Sequence, residues 1–301
     1  MILDASAKLM LAGEYSVLFG GICLVATCPE KAIAQFEPGT HWNFSSITNS
    51  SNNTSQKIFT SARLASENLG YYLQKGSYLI DTSAFYSQTG NKLGLGSSAA
   101  AATALARIIL AQQGIDNNNI LLKLALETHK IFSDSLGSGA DVAAAVYNTT
   151  IEFYNSSFGP VVNPVELSWW PKLLRIDTQR PQDTRSFVAK VLSFAEHNKS
   201  FFKQFVKDSD HCCKALQENL SFEEIGQIFD ELYNLLRSLG TLAKLDIISI
   251  EHQKIHELAH SFCGTAKPSG AGGGDFSIAL VPLEEQENFI KCCVTSGFTV
   301  Y

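Results

Sequence analysis

The first third of the chain alternates short apolar runs with polar turns. Lys8–Leu18 predicts a strand, a turn and the start of a second element, and the apolar runs Ile22–Ala26 and Ala32–Phe36 predict two more strands. Ser45–Gln56 is nearly all Ser, Thr and Asn. Such a composition predicts an exposed loop or hairpin tip.

Helical and strand-like patterns then follow one another without a regular order. Helices are predicted over Ile58–Leu73, Ala99–Leu110, Asp116–Phe132, Val142–Tyr147, Ser186–Ala195, Ser221–Leu239, Gln253–Phe262 and Leu283–Cys293. Strands are predicted at Ser77–Ile80, Ile151–Tyr154, Leu173–Asp177, Phe276–Leu280 and Phe298–Tyr301. The strongest helix signal combines an apolar stripe with a capping box, Ser221 and Glu224, and ends before Gly240. Irregular alternation of the two element types favours an α+β fold.

The composition shifts near Phe158–Pro160, so we predict two domains, residues 1–160 and 161–301. The chain is 45% hydrophobic and 17% charged, which is enough apolar material for a sizeable core. A net charge of −6 argues against nucleic-acid binding. No apolar run approaches the roughly 20 residues of a membrane span. The first residues also lack the pattern of a secretory signal.

The seven cysteines contain no Cys-x-x-Cys spacing. They resemble neither a zinc motif nor a secreted disulfide framework, so we expect buried or idle thiols in a reducing cytoplasm. His252, His256 and His260 recur every four residues on one predicted helix. This spacing is compatible with a metal site, but no fourth ligand is evident, and a solvated stripe is the favoured interpretation.

A glycine-rich loop from Gly94 to Ser98 runs directly into the Ala-rich helix. Glycines allow close backbone approach to a ligand, and the free N–H groups of a helix start attract anions. The loop is therefore either a phosphate cradle or an ordinary helix start capped by Ser97 or Ser98. A second such loop is Lys267–Asp275. Asp141, after a Gly-Ser-Gly turn, is either a general base or the N-cap of the following helix.

Three segments, in this order, resemble the three motifs of the GHMP kinases, which are small-molecule kinases without a Walker sequence. They are Lys8 with Gly13-Glu14, the loop Gly94–Ala99, and Ser269–Asp275. The resemblance spans essentially the whole chain. It implies an N-terminal mixed α/β domain with a left-handed β-α-β unit and a C-terminal ferredoxin-like α+β domain. It also implies ATP and Mg²⁺ as cofactors.

Within that family, Gly137–Tyr147 is similar to the phosphomevalonate kinase form, whereas mevalonate kinases usually read Pro-Ser-Gly-x-Asp-Asn there. Tyr15 and Asp275 favour the same group. The implied reaction is ATP-dependent conversion of phosphomevalonate to diphosphomevalonate. The alternatives are mevalonate kinase or another GHMP small-molecule kinase, and a non-catalytic paralogue, although the three motifs are intact.

The resemblance also implies roles for individual residues. Asp141 is the expected base and Lys8 the expected charge stabiliser. The expected ATP-binding residues are Lys92, Gly94, Leu95, Gly96, Ser97, Ser98 and Ala99. Ser98 is the expected Mg²⁺ ligand with Glu127 as the second, although His129 aligns better with the usual glutamate, which leaves the metal ligands open.

A phosphorylated substrate requires basic or hydroxyl partners. The expected substrate residues are Ser138, Gly139, Thr184, Arg185, Ser269, Gly270, Ala271 and Gly272. Asp183 places an opposing charge beside Thr184, and a polar interdomain loop with a helix cap is the alternative for that segment. We expect a cytoplasmic monomer or homodimer.

Overall fold

A computed structural model describes residues 1–47, 52–87 and 90–301. The predicted α+β class is confirmed, with helices and two sheets. The chain divides into two compact units. The first comprises residues 1–9 and 25–151, and the second comprises residues 10–24 and 152–301. The predicted domain division at residue 160 stays a prediction.

The first unit contains strands β1 to β4. Three of them are neighbours in the order β3-β4-β2, and β1 also pairs with β2. Strands β1 and β2 extend beyond the first unit because each also holds residues of the second. Its elements are β1 (Ile2–Ala12), β2 (Cys23–Pro38), β3 (Asn43–Ile47), α1 (Asn52–Asn68), β4 (Gly76–Asp81), α2 (Ser97–Ala111), α3 (Asn118–Phe132) and α4 (Ala140–Tyr147).

Helix α1 connects two neighbouring parallel strands, β3 and β4, whose register runs from Asn43 opposite Ser77 to Ile47 opposite Asp81. This is the predicted β-α-β unit, and its left-handedness stays a prediction. The aromatic rings of Phe59 and Tyr78 lie 5.1 Å apart between their centroids. Helix α1 therefore packs on the sheet through aromatic side chains, which bury large apolar areas.

Helix α2 is the buried core of this unit. All of its alanines from Ala99 to Ala106 are at most 4% exposed, so the helix is apolar on every side. Its one charged residue, Arg107, donates from Nη2 to the carbonyl oxygens of Ala145 at 3.4 Å and Val146 at 3.0 Å. Arg107 thus satisfies carbonyls at the C-terminal end of α4, and burial lowers the pKa of this guanidinium.

The second unit is built on a four-stranded sheet in the order β10-β7-β9-β8. The chain order β-α-β-β-α-β with this strand order is the predicted ferredoxin-like arrangement. Its elements are β5 (Ile151–Ser156, in this unit from Glu152), β6 (Gly159–Pro164), β7 (Leu174–Asp177), α5 (Thr184–His197), α6 (Lys199–Ala215), α7 (Phe222–Ala243), α8 (Ile250–Ser261), β8 (Thr265–Pro268), β9 (Phe276–Leu280), α9 (Gln286–Thr295) and β10 (Thr299–Val300).

Two apolar clusters hold the second unit together. One covers the sheet, where Ile176 of β7, Ile255 of α8 and Phe289 of α9 are completely buried. The other lies among the helices and includes Phe202, Phe205 and Leu239. Within the described ranges no helix is long and apolar enough to cross a membrane.

Three local predictions were wrong. The predicted loop Ser45–Gln56 is strand up to Ile47 and helix from Asn52, and its middle, residues 48–51, lies outside the described residues. Helix α6 was not predicted at all, although Phe202, Phe205 and Cys212 share one buried face. Helix α7 does not stop before Gly240 but continues to Ala243.

Gly240 is a glycine for a different reason than the predicted helix stop. The N–H group of Leu245 donates to the Gly240 carbonyl at 2.8 Å, so the chain folds back over the last turn of α7. A Cβ atom on Gly240 would lie 2.8 Å from the Leu245 carbonyl oxygen. The left-handed residue that ends the helix is Lys244, at φ 54°.

Candidate active site

In the first unit, the loop before α2 has the backbone of an anion site. Gly94 and Gly96 adopt left-handed φ values of 67° and 78°, which glycine adopts without steric cost. Gly96 is itself the N-cap of α2, and no side chain caps the helix. The predicted cap by Ser97 or Ser98 was therefore wrong. The first turn of α2 also holds no acidic residue, which leaves its positive end available to an anion.

The side chain of Lys8 lies directly against this loop. Its backbone N–H donates to the Leu95 carbonyl at 3.1 Å, which joins β1 to the loop. A Cβ atom on Gly96 would lie 3.0 Å from Cγ and 3.2 Å from Cε of Lys8. The absence of a side chain at Gly96 therefore makes room for the aliphatic part of Lys8. The structure thus brings together two of the predicted site residues.

Residues at the start of the loop anchor it in the core. Leu93 and Leu95 are buried at 4% and 1% exposure, while Lys92 is exposed. Lys92 forms an antiparallel bridge with Tyr86, and the Leu93 N–H donates to the Phe85 carbonyl at 2.9 Å. The buried leucines hold the loop in place, and Lys92 presents its charge to solvent.

Asp141 lies in the first turn of α4. Its Oδ1 atom accepts from the N–H of Val142 at 2.9 Å. The N-cap of α4 is Gly139, at φ 86°, so the alternative that Asp141 is the N-cap was wrong. The Ser138 hydroxyl accepts from the Ala140 N–H at 3.3 Å, which orders the preceding turn. Lys8 and Asp141 form no ion pair within 4.0 Å in the part of the chain that the structure describes.

The far end of α4 is held by two other elements. Besides the Arg107 contacts described above, the Ser6 hydroxyl of β1 donates to Asn148 Oδ1 at 2.5 Å. Ser6 precedes Lys8 by two residues on the same strand, and Arg107 belongs to the helix that starts at the glycine loop. The elements that carry Lys8, the loop and Asp141 are thus linked by hydrogen bonds away from the site.

The predicted magnesium ligand Ser98 contacts a histidine. Ser98 Oγ lies 3.2 Å from His129 Nε2, so His129 occupies the position beside Ser98. Glu127 is two residues away on α3, and residues two apart on a helix do not share a face. Mg²⁺ prefers oxygen ligands, and an imidazole beside one hydroxyl does not fit it. The residues beside Ser98 therefore do not fit a magnesium ion held by protein ligands.

The second unit contains a buried ion pair between the other two motifs. Lys267 Nζ contacts Glu14 Oε1, and the two side chains are 0% and 2% exposed. Lys267 Nζ also donates to the Pro268 carbonyl at 2.8 Å. Removing water from both charges is costly, and only mutual pairing with further hydrogen bonds compensates for it. Lys267 is therefore a structural cation rather than an exposed substrate ligand, and sequence reasoning missed its pairing.

Two more hydrogen bonds connect the same segments. The Tyr15 hydroxyl donates to the Ala271 carbonyl at 2.6 Å, and the Ser269 hydroxyl donates to the Met10 carbonyl at 2.8 Å. Desolvation of the Tyr15 hydroxyl, with the nearby Glu14 charge, raises its pKa. The second glycine loop is thus fixed to the segment after Lys8 by its predicted substrate residues Ser269 and Ala271.

The glycines of the second loop approach backbone closely. A Cβ atom would lie 2.3 Å from the Ile247 carbonyl oxygen at Gly272 and 2.2 Å from the Arg180 carbonyl oxygen at Gly274. Gly270 adopts a left-handed φ of 91°. Packing alone therefore requires glycine at these positions, and a substrate role for Gly270 and Gly272 stays a prediction.

The predicted phosphate contacts at the start of α5 face an obstacle. Asp183 is the N-cap, and its Oδ1 accepts from the Arg185 N–H at 3.1 Å. A carboxylate therefore already stands at this helix start, beside Thr184. Arg180 in turn is paired with Asp246 at 3.0 Å and Glu251 at 3.2 Å. Substrate contacts of Thr184 and Arg185 stay predictions.

Asp275, at the end of the loop, ties it to this segment. Its N–H donates to the Arg180 carbonyl at 2.7 Å, and its Oδ1 accepts from the Gln182 N–H at 3.2 Å. The predicted solvated histidine stripe was wrong for His252, which is 1% exposed, and of the three histidines only His260 is exposed. Burial lowers the pKa of His252 to about 4, so its ring is neutral at pH 7.

Several known proteins have sequences similar to this chain. Residues 60–149 match the family model described as GHMP kinases N terminal domain. A phosphomevalonate kinase from Streptomyces is 27% identical over a match that covers 65% of the chain. The chain spans only 59% of the length of that relative. A mevalonate kinase from Thermococcus gammatolerans is 23% identical, with 99% of the chain and 94% of the relative covered.

Solved structures show the same fold. A Streptococcus pneumoniae phosphomevalonate kinase in complex with phosphomevalonate and AMPPNP matches with a TM-score of 0.81. That match covers 100% of the chain and 98% of the other protein at 20% sequence identity. At this identity the likeness establishes the fold.

Replacing Gly96 with alanine tests the contact between the loop and Lys8. We expect Gly96→Ala to weaken ATP binding about tenfold, equal to about 1.4 kcal/mol, because the new methyl group displaces Lys8. Gly114→Ala is the matched control, since Gly114 also has a left-handed φ of 68° but no atom within 4 Å of its added Cβ. Equal ATP affinities of the two variants, measured by calorimetric titration, would contradict this interpretation.

Removing one partner of the buried ion pair tests its structural role. We expect Lys267→Met to lower the free energy of unfolding by about 3–5 kcal/mol, because Glu14 is left buried without its cation. The double variant Glu14→Gln/Lys267→Met should lose less than the sum of the single changes. Lys291→Met is the control, since Lys291 pairs with Glu287 on the surface. Urea unfolding measures the free energies of these three variants and of the single variant Glu14→Gln. Strictly additive losses would show that the pair is not coupled.

Proposed function

We propose that the chain phosphorylates phosphomevalonate to diphosphomevalonate with ATP. The match of residues 60–149 to the GHMP kinase N-terminal domain model and the shared fold support this proposal. The observation that carries this proposal is the unit-1 geometry, in which a left-handed glycine loop begins α2 and packs on Lys8. Phosphoryl transfer depends mainly on positioning and charge neutralisation, which such a loop supplies.

The roles of the residues follow from their chemistry. The N–H groups of the loop and of the α2 N-terminus hold the phosphates of ATP. Lys8 stabilises negative charge on the group in transfer. Asp141 accepts the proton of the attacking oxygen as general base. Its carboxylate is half-buried and lies in the first turn of α4. Magnesium enters with ATP as part of the substrate complex.

Several features favour phosphomevalonate as the acceptor. The Streptomyces relative is a phosphomevalonate kinase, and the pneumococcal structure of the same fold holds phosphomevalonate. The chain also carries Tyr15 where mevalonate kinases tend to have histidine. The structure gives this tyrosine a role, because its hydroxyl binds the Ala271 carbonyl in the second glycine loop.

Mevalonate is the second candidate acceptor. The specific observation in its favour is the match to the Thermococcus mevalonate kinase, which covers 94% of the length of that relative. The exposed Lys92 and the half-buried Lys8 are compatible with either acceptor, since both lie at the phosphate loop. The monomer or homodimer state and the cytoplasmic location stay predictions.

A substrate assay separates the two acceptors. We expect ADP release from ATP in the presence of phosphomevalonate, with kcat/KM at least about tenfold higher than with mevalonate, which corresponds to about 1.4 kcal/mol in the transition state. Coupled detection of ADP with the purified chain measures both rates. Turnover of mevalonate alone would refute the proposed acceptor, and no turnover of either compound would favour the non-catalytic paralogue.

Neutralising Asp141 tests the proposed base. We expect Asp141→Asn to lower kcat by at least about 100-fold, because the amide cannot accept the proton, while ATP affinity is unchanged. Asp134→Asn is the control. Asp134 lies in a surface ion pair with Lys57, and asparagine tolerates its left-handed φ of 56°. An Asp141→Asn variant with wild-type kcat would exclude this carboxylate from the reaction.

A further inference from the structure

We propose that Asp230, His256 and His260 of the second unit form a binding site for one zinc-like divalent cation. Asp230 belongs to α7, and the two histidines lie one turn apart on α8. The three ligand atoms all lie within 4.8 Å of one another. The sequence pattern alone showed only histidines, and the carboxylate is supplied by a helix about 25 residues earlier in the chain.

His256 is already oriented as a metal ligand. Its Nδ1 lies 2.7 Å from the Ala266 carbonyl oxygen, and a carbonyl can only accept, so Nδ1 carries the proton. The lone pair is therefore on Nε2, which forms no hydrogen bond with the residues that the structure describes. Metal-binding histidines typically donate their other ring N–H to such an oxygen.

The plane of this ring is also fixed. His256 stacks on Tyr233 with the ring centroids 3.7 Å apart and the planes 3° from parallel. Stacking covers one face of the imidazole and leaves its edge, with Nε2, directed along the plane. Less reorganisation is then needed when a cation binds.

Asp230 and His260 have the separation of adjacent ligands. Asp230 Oδ1 and His260 Nε2 are 3.2 Å apart. In a tetrahedral site with metal–ligand bonds of about 2.0–2.1 Å, neighbouring ligand atoms are about 3.3 Å apart. The Thr265 hydroxyl donates to the same Asp230 oxygen and orients the carboxylate. Thr265 thus acts as a positioning residue for the site.

The donor set selects the class of cation. Two imidazoles and one carboxylate suit Zn²⁺, whereas Mg²⁺ and Ca²⁺ require oxygen ligands. The positive charge of Arg237 lies close enough to act on His256, so it opposes cation binding. The negative charge of Asp230 counteracts Arg237 and favours cation binding. Three protein ligands leave a fourth position for water or another donor.

A cation here would connect three elements of the second unit. Asp230 lies on α7, His256 and His260 on α8, and the supporting groups of Thr265 and Ala266 belong to β8. Strand β8 leads directly into Lys267 and the second glycine loop. The bound ion would therefore stabilise the base of that loop by mass action, since it binds only the folded arrangement.

Titration of the reduced full chain with ZnCl₂ tests the proposal. We expect one Zn²⁺ per chain by calorimetry, with Kd raised at least about 100-fold in His260→Gln and in Asp230→Asn. Thr265→Val should raise Kd about 10–100-fold, the usual effect of losing a group that orients a ligand. Arg237→Gln should lower Kd, because the opposing charge is removed.

Two matched variants control for other ligands. His197→Gln removes an exposed histidine of α5, and Cys263→Ser removes the exposed thiol just after α8. Both should bind Zn²⁺ as the unaltered chain does. Circular dichroism checks that each variant is folded, and the surface position of His260 makes its replacement mild.

The opposite results would overturn the proposal. These are no Zn²⁺ uptake by the unaltered chain, uptake that persists in His260→Gln and Asp230→Asn, or uptake that disappears with Cys263→Ser. A Co²⁺ titration adds a spectroscopic signature, since visible absorption of tetrahedral intensity should appear in the unaltered chain and be absent from His260→Gln. Because no nucleotide is used, these outcomes are independent of the proposed kinase activity.

Discussion

The close approach of the Gly96 backbone to the Lys8 side chain is the contact on which the first unit's site depends. A Cβ atom at Gly96 would meet the Lys8 stem at 3.0 Å, so a side chain there would displace the lysine, and the left-handed φ of 78° also favours glycine. The same residue begins α2 in a left-handed conformation and leaves the helix start without a side-chain cap. One steric requirement therefore produces both the position of the lysine and the open N–H groups beside it.

The second unit uses a different constraint, the burial of two opposite charges. Lys267 and Glu14 lie on segments far apart in the chain and almost completely out of water. Such a pair tolerates few alternative arrangements, because each charge without its partner is strongly destabilising. The Tyr15 and Ser269 hydrogen bonds to nearby carbonyls have the same directing effect. The second glycine loop is thus held by specific polar contacts, while the sheet below it is held by apolar packing.

Local patterns in the sequence predicted the fold class and most helices, and the family resemblance implied the ferredoxin-like half. They failed where the deciding interaction is distant or weakly patterned. Helix α6 is an exception, because its buried Phe and Cys positions recur at helical spacing between lysines and aspartates, and this amphipathic pattern is present in the sequence itself. Gly240 was taken as a helix stop because the local rule does not include the returning Leu245 backbone. The partner of Lys267 is separated from it by 253 residues, a distance that no periodicity reveals.

The site itself was predicted by residue type better than by role. Lys8 and the glycine loop lie together as expected, yet Ser98 contacts His129 rather than a carboxylate. That exchange alters the electrostatics at the start of α2. A carboxylate beside Ser98 would attract a cation and repel phosphate, whereas an imidazole carries no negative charge. In the proposed reaction, neutralisation of the phosphates of ATP then rests on the helix N-terminus, on Lys8 and on Lys92, which all favour negative charge. The proposed phosphate site thus takes its positive character from backbone and lysine rather than from a metal held by a protein carboxylate.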